Sequence, residues 1–270
     1  MIFGVSTACF FLKNYTEDAI NIIGDMGVKN IEVFFSAQSE TNPKRIKEMK
    51  KRIQDKGISV YSVHAVSTQF EPQLFSAHDR QRMDAFDAYK QVLEAGEALG
   101  AGAYVFHGPT NIKIARKLNI NYPYTAKRVS AVADLAKEYG IKLTYETVHW
   151  CWYAHPEFPT LLEPHLTTDN LYYTLDCKQV AQSFLPLEDY IRAMGHRLEN
   201  VHLCDYRIDD KRGVVPVLPF KGQLDFEMLK TELGKVDYDK AIILEVYQDN
   251  YHDNQELKEN FYCIKDFFEK

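Results

Sequence analysis

No two of the five cysteines stand at a C-x-x-C spacing, and five is an odd number. A disulfide framework or a zinc-ribbon pair is therefore excluded as the organising principle of this chain. Reduced thiols in a cytoplasmic compartment are the expectation. No apolar run approaches the length of a bilayer span, so no membrane role is expected. The opening MIFGVSTACFFLK lacks a basic n-region and a small-residue cleavage pattern, and reads as a first strand. Basic residues are outnumbered, 32 Lys and Arg against 38 Asp and Glu, for a net charge of −6. That balance argues against a nucleic-acid partner. No glycine-rich phosphate fingerprint follows the first strand, which weakens a dinucleotide-binding fold. Linkers, low-complexity segments and short repeats are also lacking, so residues 1–270 are expected to form a single domain.

What is there is an alternation of strands and helices. Strand patterns fall at 2–6, 30–34, 58–64, 103–107, 141–146, 170–176, 199–205 and 240–245. Between them lie helical patterns at 16–26, 42–56, 79–99, 124–139, 187–194 and 225–233, and a closing helix at 255–268. A short helix is expected near 158–166. Gly27, Gly57, Gly100 and Gly140 stand where helices should stop. The segment 205–223 reads as a polar loop. Strands that alternate with helices pair in parallel, and eight such units close into a (β/α)8 barrel, an α/β TIM fold. An open doubly wound sheet is the alternative.

Four residues recur at one structural place. Glu146, Asp176, His202 and Glu245 each stand at or near the end of their own strand, in four successive units. In a barrel the strand ends converge. Three carboxylates crowded there would repel and shift upward in pKa unless a cation joined them. Three oxygens and one nitrogen suit one divalent ion, Mn2+, Mg2+ or Co2+, with Zn2+ a further choice. His64 and His107 end strands as well, and are read as lining the pocket. Lys178 is expected to meet a carboxylate or phosphate of the substrate, or to be solvated; Arg207 is similar. Glu32, in mid-strand, is read as facing the barrel floor or mouth. Trp150, Trp152, Tyr153 and Phe158 crowd the loop after Glu146. They could stack on the apolar face of a ligand, pack on one another, or form a subunit contact. Phe10, Phe11, Phe34 and Phe35 raise the same choice. Asp205 falls past its strand and is expected to bond loop backbone.

These motifs resemble the xylose-isomerase-like barrels, which include sugar-phosphate isomerases, ketose 3-epimerases, inosose dehydratases and the endonuclease IV branch (AP endonuclease family 2). The residues that carry the likeness are VFHGP at 105–109, TYETVH at 144–149, TLDCKQ at 174–179, VHLCD at 201–205, KGQLDF at 221–226 and ILEVY at 243–247. The resemblance implies that Glu146, Asp176, His202 and Glu245 hold one metal, and that Glu146 and Glu245 move protons on opposite faces of a sugar. It also implies the dimers or tetramers common among such barrels, so a homo-oligomer is expected. Where similar proteins carry Asp-x-x-His, this chain has Gln179, a hydroxyl-bonding residue and a poor metal ligand. It also has no His between Asp205 and Phe226, where the nuclease branch has one. The expected activity is a metal-dependent isomerase or epimerase working on a small polyhydroxy carbonyl compound through an enediolate. The alternatives are a dehydratase on the same scaffold, an endonuclease IV-like phosphodiesterase, and a non-catalytic sugar-binding barrel.

Overall fold

The computed structural model describes residues 1–110, 120–211 and 213–270. Among these, eight parallel strands close a barrel. In chain order they are β1 (Ile2–Ser6), β2 (Asn30–Phe35), β3 (Ser59–Ala65), β4 (Ala103–Phe106), β5 (Lys142–Glu146), β6 (Leu171–Asp176) and β7 (Leu198–Leu203), followed, after an inserted ribbon of β8 (Asp205–Asp209) and β9 (Gly213–Val217), by β10 (Ala241–Leu244). β10 pairs with β1 and β7, which completes the ring. The outer layer consists of α1 (Thr16–Asp25), α2 (Pro43–Lys56), α3 (Asp79–Leu99), α4 (Tyr122–Glu138), α5 (Phe158–Leu162), α6 (Cys177–Ser183), α7 (Leu187–Met194), α8 (Phe226–Lys235) and α9 (Asn254–Glu269).

Local chemistry sets many of these boundaries. Asn42 accepts from Lys44 N, Pro43 opens α2, and Gly57 closes it with φ +60°. Asn121 caps α4 through Tyr124 N, which starts that helix two residues before the expected Tyr124. α1 begins with Tyr15 in the cap position and Thr16 as its first residue, whose side chain does not cap the helix. Its hydroxyl bonds Glu40 Oε1 and Phe34 O instead.

Two expectations need correction. The segment 205–223 contains the β8–β9 antiparallel ribbon. α6 also follows β6 without a gap, because the Asp176 side chain accepts from Gln179 N and starts the helix. Asp205 holds the base of the ribbon as anticipated. Its buried carboxylate accepts from Tyr206 N, Gly222 N and Leu224 N. A Cβ at position 222 would overlap Tyr206 O and that carboxylate, so the close return of the chain requires glycine there.

Strand alternation sends two sets of side chains to opposite sides. Leu143 and Tyr145, Val33 and Phe35, and Leu175 and Leu203 join the buried apolar core with the helices. The intervening residues face the barrel axis, where interior layers are usually filled by branched aliphatics. Here Ser6, Glu32, Ser62, Thr144, Thr174 and Asn200 occupy that level, all completely buried. This interior departs from the usual barrel packing because it is organised around a carboxylate.

Asp205→Ala leaves three backbone donors at the ribbon base unsatisfied. It is expected to lower stability by about 2–5 kcal/mol. Urea unfolding monitored by circular dichroism checks this; a loss below about 0.5 kcal/mol would show that the ribbon does not depend on Asp205.

Candidate active site

The register of the barrel delivers the expected residues to one place. Asp176 on β6 pairs directly with His202 on β7. Glu146 ends β5, and Glu245 follows β10, its N–H bonded to Leu203 O. One ligand atom from each of Glu146, Asp176, His202 and Glu245 falls within 4.8 Å of the others. His202 is the centre. Its Nδ1 lies 3.0 Å from Glu146 Oε1 and 2.5 Å from Glu245 Oε2. Its Nε2 lies 3.0 Å from Glu32 Oε2, with the Asn200 amide 3.1 Å away. A carboxylate only accepts, so Nε2–H donates to Glu32 and the ring presents Nδ1 to the other two carboxylates.

Glu32 is therefore more than a floor residue. Ser6 and Ser62 hydroxyls donate to its two oxygens at 3.2 and 2.7 Å. Its position in mid-strand points to the barrel floor or mouth, but nothing local in the sequence shows that three other strands supply its partners. Those partners became visible only through register: Ser6 pairs with Glu32, and Glu32 with Ser62.

His64 and His107 extend the cluster toward β3 and β4. Their Nε2 atoms approach to 3.0 Å, and His107 Nε2 lies 2.5 Å from Glu146 Oε2. Ser67 Oγ sits 2.6 Å from His107 Nδ1. Beneath them Glu71, wholly buried, accepts from the backbone N–H groups of His107 and Gly108 and from the Tyr104 hydroxyl. Glu71 lies in a 3-10 turn and gave no sequence signal.

Burial opposes charge on every group here, and the mutual field decides the outcome. His202 is pushed well above the usual imidazole range because Glu245, Glu32 and Glu146 outweigh its desolvation. His107 is raised against its own burial by Glu146, while His64 is lowered by burial and by His107. Glu146 is held well below the usual carboxylate range by His107 and His202, again against burial, and Glu245 falls to about 2 on the His202 charge. Asp176 rises to about 6 through burial, despite Lys178.

A divalent cation fits this arrangement. Glu146 Oε2 and Glu245 Oε2 are buried without a hydrogen-bond partner among the described residues, although an imidazole nitrogen stands 2.5 Å from each. Two carboxylate oxygens converging on one imidazole nitrogen form a donor set of oxygen and nitrogen that Mn2+, Mg2+ or Co2+ would accept.

The other expected residues divide. Lys178 borders the cluster, with Nζ 3.8 Å from Asp176 Oδ2 and 2.6 Å from Tyr247 OH. Trp150 packs edge-on to His107, with ring centroids 5.9 Å apart, so it borders the site. Gln179 is turned away: its Oε1 accepts from exposed His149. Arg207 also lies outside the cluster, its guanidinium donating twice to Lys221 O on the exposed ribbon. The aromatic loop splits. Tyr153 and Phe158 stack on each other within the core beside Tyr145, and Trp152 packs on Phe75. Phe34 meets the His64 ring at 5.3 Å, whereas Phe10 and Phe35 are buried in the core. A surface groove of about 710 Å3 lies between α2 and α3, and none of these groups lines it.

Three comparisons bear on this geometry. The model of one family, the xylose isomerase-like TIM barrel, matches residues 20–267. No curated protein matched the chain. Among solved structures, a D-tagatose 3-epimerase-like protein superposes with a TM-score of 0.78 at 19% identity, covering 100% of this chain and 97% of its own. D-psicose 3-epimerase from Clostridium cellulolyticum H10 gives 0.79 at 16% identity, covering 100% and 98%. A probable 3-DHS dehydratase from Bacillus anthracis gives 0.75 at 13%, covering 98% and 99%. At these identities the likeness is one of fold.

Two tests follow. Glu32→Gln weakens the acceptor that fixes the His202 ring, and is expected to lower Mn2+ affinity about 10- to 100-fold in calorimetry; unchanged affinity would remove Glu32 from this role. Burial raises the Glu71 pKa to about 7, against the pull of His107. A raised folded pKa means that its contribution is complete below the unfolded value of 4.5 and is lost as pH climbs through about 7. The stability of wild type relative to Glu71→Gln should therefore fall between pH 4.5 and 7; a pH-independent difference would contradict this.

Proposed function

Since the chain belongs to the xylose isomerase-like TIM barrel family, we propose that it is a metal-dependent isomerase or epimerase acting on a small polyhydroxy carbonyl compound. The observation that carries this reading is the approach of Glu146 and Glu245 to the same nitrogen of His202, each keeping a buried oxygen without a hydrogen-bond partner among the described residues. A D-psicose 3-epimerase and a D-tagatose 3-epimerase-like protein support it through shared fold.

In this reading Glu146, Asp176, His202 and Glu245 would hold one divalent ion. When bound, the ion supplies Lewis-acid polarisation of a carbonyl and its neighbouring hydroxyl. The carboxylates do the proton work. One of Glu146 and Glu245 takes the proton from the carbon beside the carbonyl, and the C–H electron pair passes into the enediolate. The other returns a proton to the opposite face, which inverts that carbon. Glu32 keeps His202 in the tautomer that aims Nδ1 at the site. His107 and Ser67 brace Glu146, and Trp150 limits water at that edge. A dehydratase would share the first proton transfer and then lose a β-hydroxyl; the dehydratase among the fold neighbours keeps this alternative in view.

A second reading, phosphodiester hydrolysis with more than one ion, has one observation in its favour: His64, His107 and Glu146 form another group of mutually close ligand atoms. Gln179 in the Asp-x-x-His position weighs against it.

Incubation with Mn2+ and a panel of ketoses and inososes in D2O, read by NMR, tests the proposal. Deuterium is expected at the carbon beside the carbonyl, with kcat reduced about 10²- to 10⁴-fold in Glu146→Gln and in Glu245→Gln. Hydrolysis of bis-p-nitrophenyl phosphate without deuterium incorporation would favour the second reading. Because His202 must lose its Nδ1 proton to bind an ion, Mn2+ affinity should rise with pH through neutrality, by up to about tenfold per unit. Calorimetry in buffers of different ionisation enthalpy measures the released proton; no release would contradict ligation by His202.

A further inference from the structure

The proton transfers proposed above leave one buried charge beside the cluster without a task. Lys178 is only 7% exposed. α6 starts at Cys177, so Lys178 lies in its first turn, with its ammonium beside Asp176. Its hydrogen-bond partner is a neutral phenol, Tyr247 OH at 2.6 Å, whose ring lies 4.6 Å away. The carboxylate oxygen nearest in charge, Asp176 Oδ2, is 3.8 Å away, too far for a hydrogen bond. Asp176 Oδ1 is already used to cap α6 at Gln179 N. Oδ2 is thus the oxygen left for a cation, and a cation there would compete with Lys178 for the carboxylate nearest to it.

A buried ammonium without a counter-charge is unfavourable, and a lysine kept for packing alone would be replaced at lower cost by an apolar residue. An ammonium has three N–H donors, and Tyr247 takes one. Tyr247 is itself 48% exposed, so this corner of the site opens toward solvent. Asp176 offers Lys178 a charge at 3.8 Å but no hydrogen bond, which leaves its remaining N–H groups able to take an anion that arrives with the ligand.

Resting on the functional reading given above, we propose that Lys178 binds an acidic group of the substrate, so that the polyhydroxy carbonyl compound taken by this site carries a carboxylate or a phosphate. The anion accepts the N–H groups that Tyr247 leaves free, and the carbonyl end of the same molecule lies toward Glu146 and Glu245. Neutral sugars of the same length lack this contact and bind weakly.

Calorimetry on the full chain loaded with Mn2+ tests this with three probes that differ at one terminal group: D-glucitol, D-gluconate and D-glucitol 6-phosphate. One acid is expected to bind at least about tenfold more tightly than glucitol, and the preferred acid identifies the anion as carboxylate or phosphate. That advantage should vanish in Lys178→Met and persist in Lys178→Arg, with Mn2+ binding by each variant confirming an intact site. The inference is overturned if neither acid exceeds glucitol by that margin, or if the advantage survives in Lys178→Met, which would assign the acid to the cation instead. Failure of the wild-type chain to bind Mn2+ would overturn the reading of the site and this inference with it.

Discussion

Four carboxylates and three imidazoles share the upper interior of this barrel, and their mutual charge governs what surrounds them. Glu32, Glu146 and Glu245 all approach His202, which is buried. Carboxylates buried so close together are stable only if something positive stands among them. Protons on His202 and His107 meet that need in the absence of an ion. A divalent ion would meet it more fully and displace the proton on Nδ1. The polar barrel interior follows from the same constraint: Ser6, Ser62 and Asn200 occupy positions that branched aliphatics usually fill, because Glu32 needs donors.

This centre is built from strands rather than loops, so its geometry is fixed by hydrogen-bonded register. Glu146, Asp176, His202 and Glu245 project from strand ends or the residues beside them, Glu32 projects from the middle of β2, and Glu71 ties the end of β4 to the turn beneath it. The mouth is made of parts outside the barrel strands. The β8–β9 ribbon stands on Asp205, and Lys178, Tyr247 and Trp150 line the rim. The buried strand ends thus suit fixed proton chemistry, while the rim is where the substrate would be selected.

The barrel was legible in the sequence because strand and helix periodicities alternate cleanly and glycines mark the helix ends. Glu146, Asp176, His202 and Glu245 were legible because each is a polar residue at the end of its own strand. What stayed hidden was tertiary. Glu32 sits in mid-strand in NIEVF, and nothing local shows that Ser6, Ser62 and Asn200 converge on it. Glu71 lies in a 3-10 turn with no periodicity. α6 is too short to show a pattern, and the ribbon at 205–217 is masked by its polar, proline-containing sequence. Gln179 and Arg207 have side chains suited to a substrate, but sequence cannot reveal that His149 and Lys221 O already engage them.

In the proposed reading, Glu146, Asp176, His202 and Glu245 together bind one divalent ion. The most direct test is to titrate chelator-stripped protein with Mn2+ and follow free Mn2+ by its paramagnetic resonance signal. One ion per chain, lost when Glu146 and Glu245 are both changed to Gln, is the predicted result. No bound ion, or binding that survives that double substitution, would contradict it.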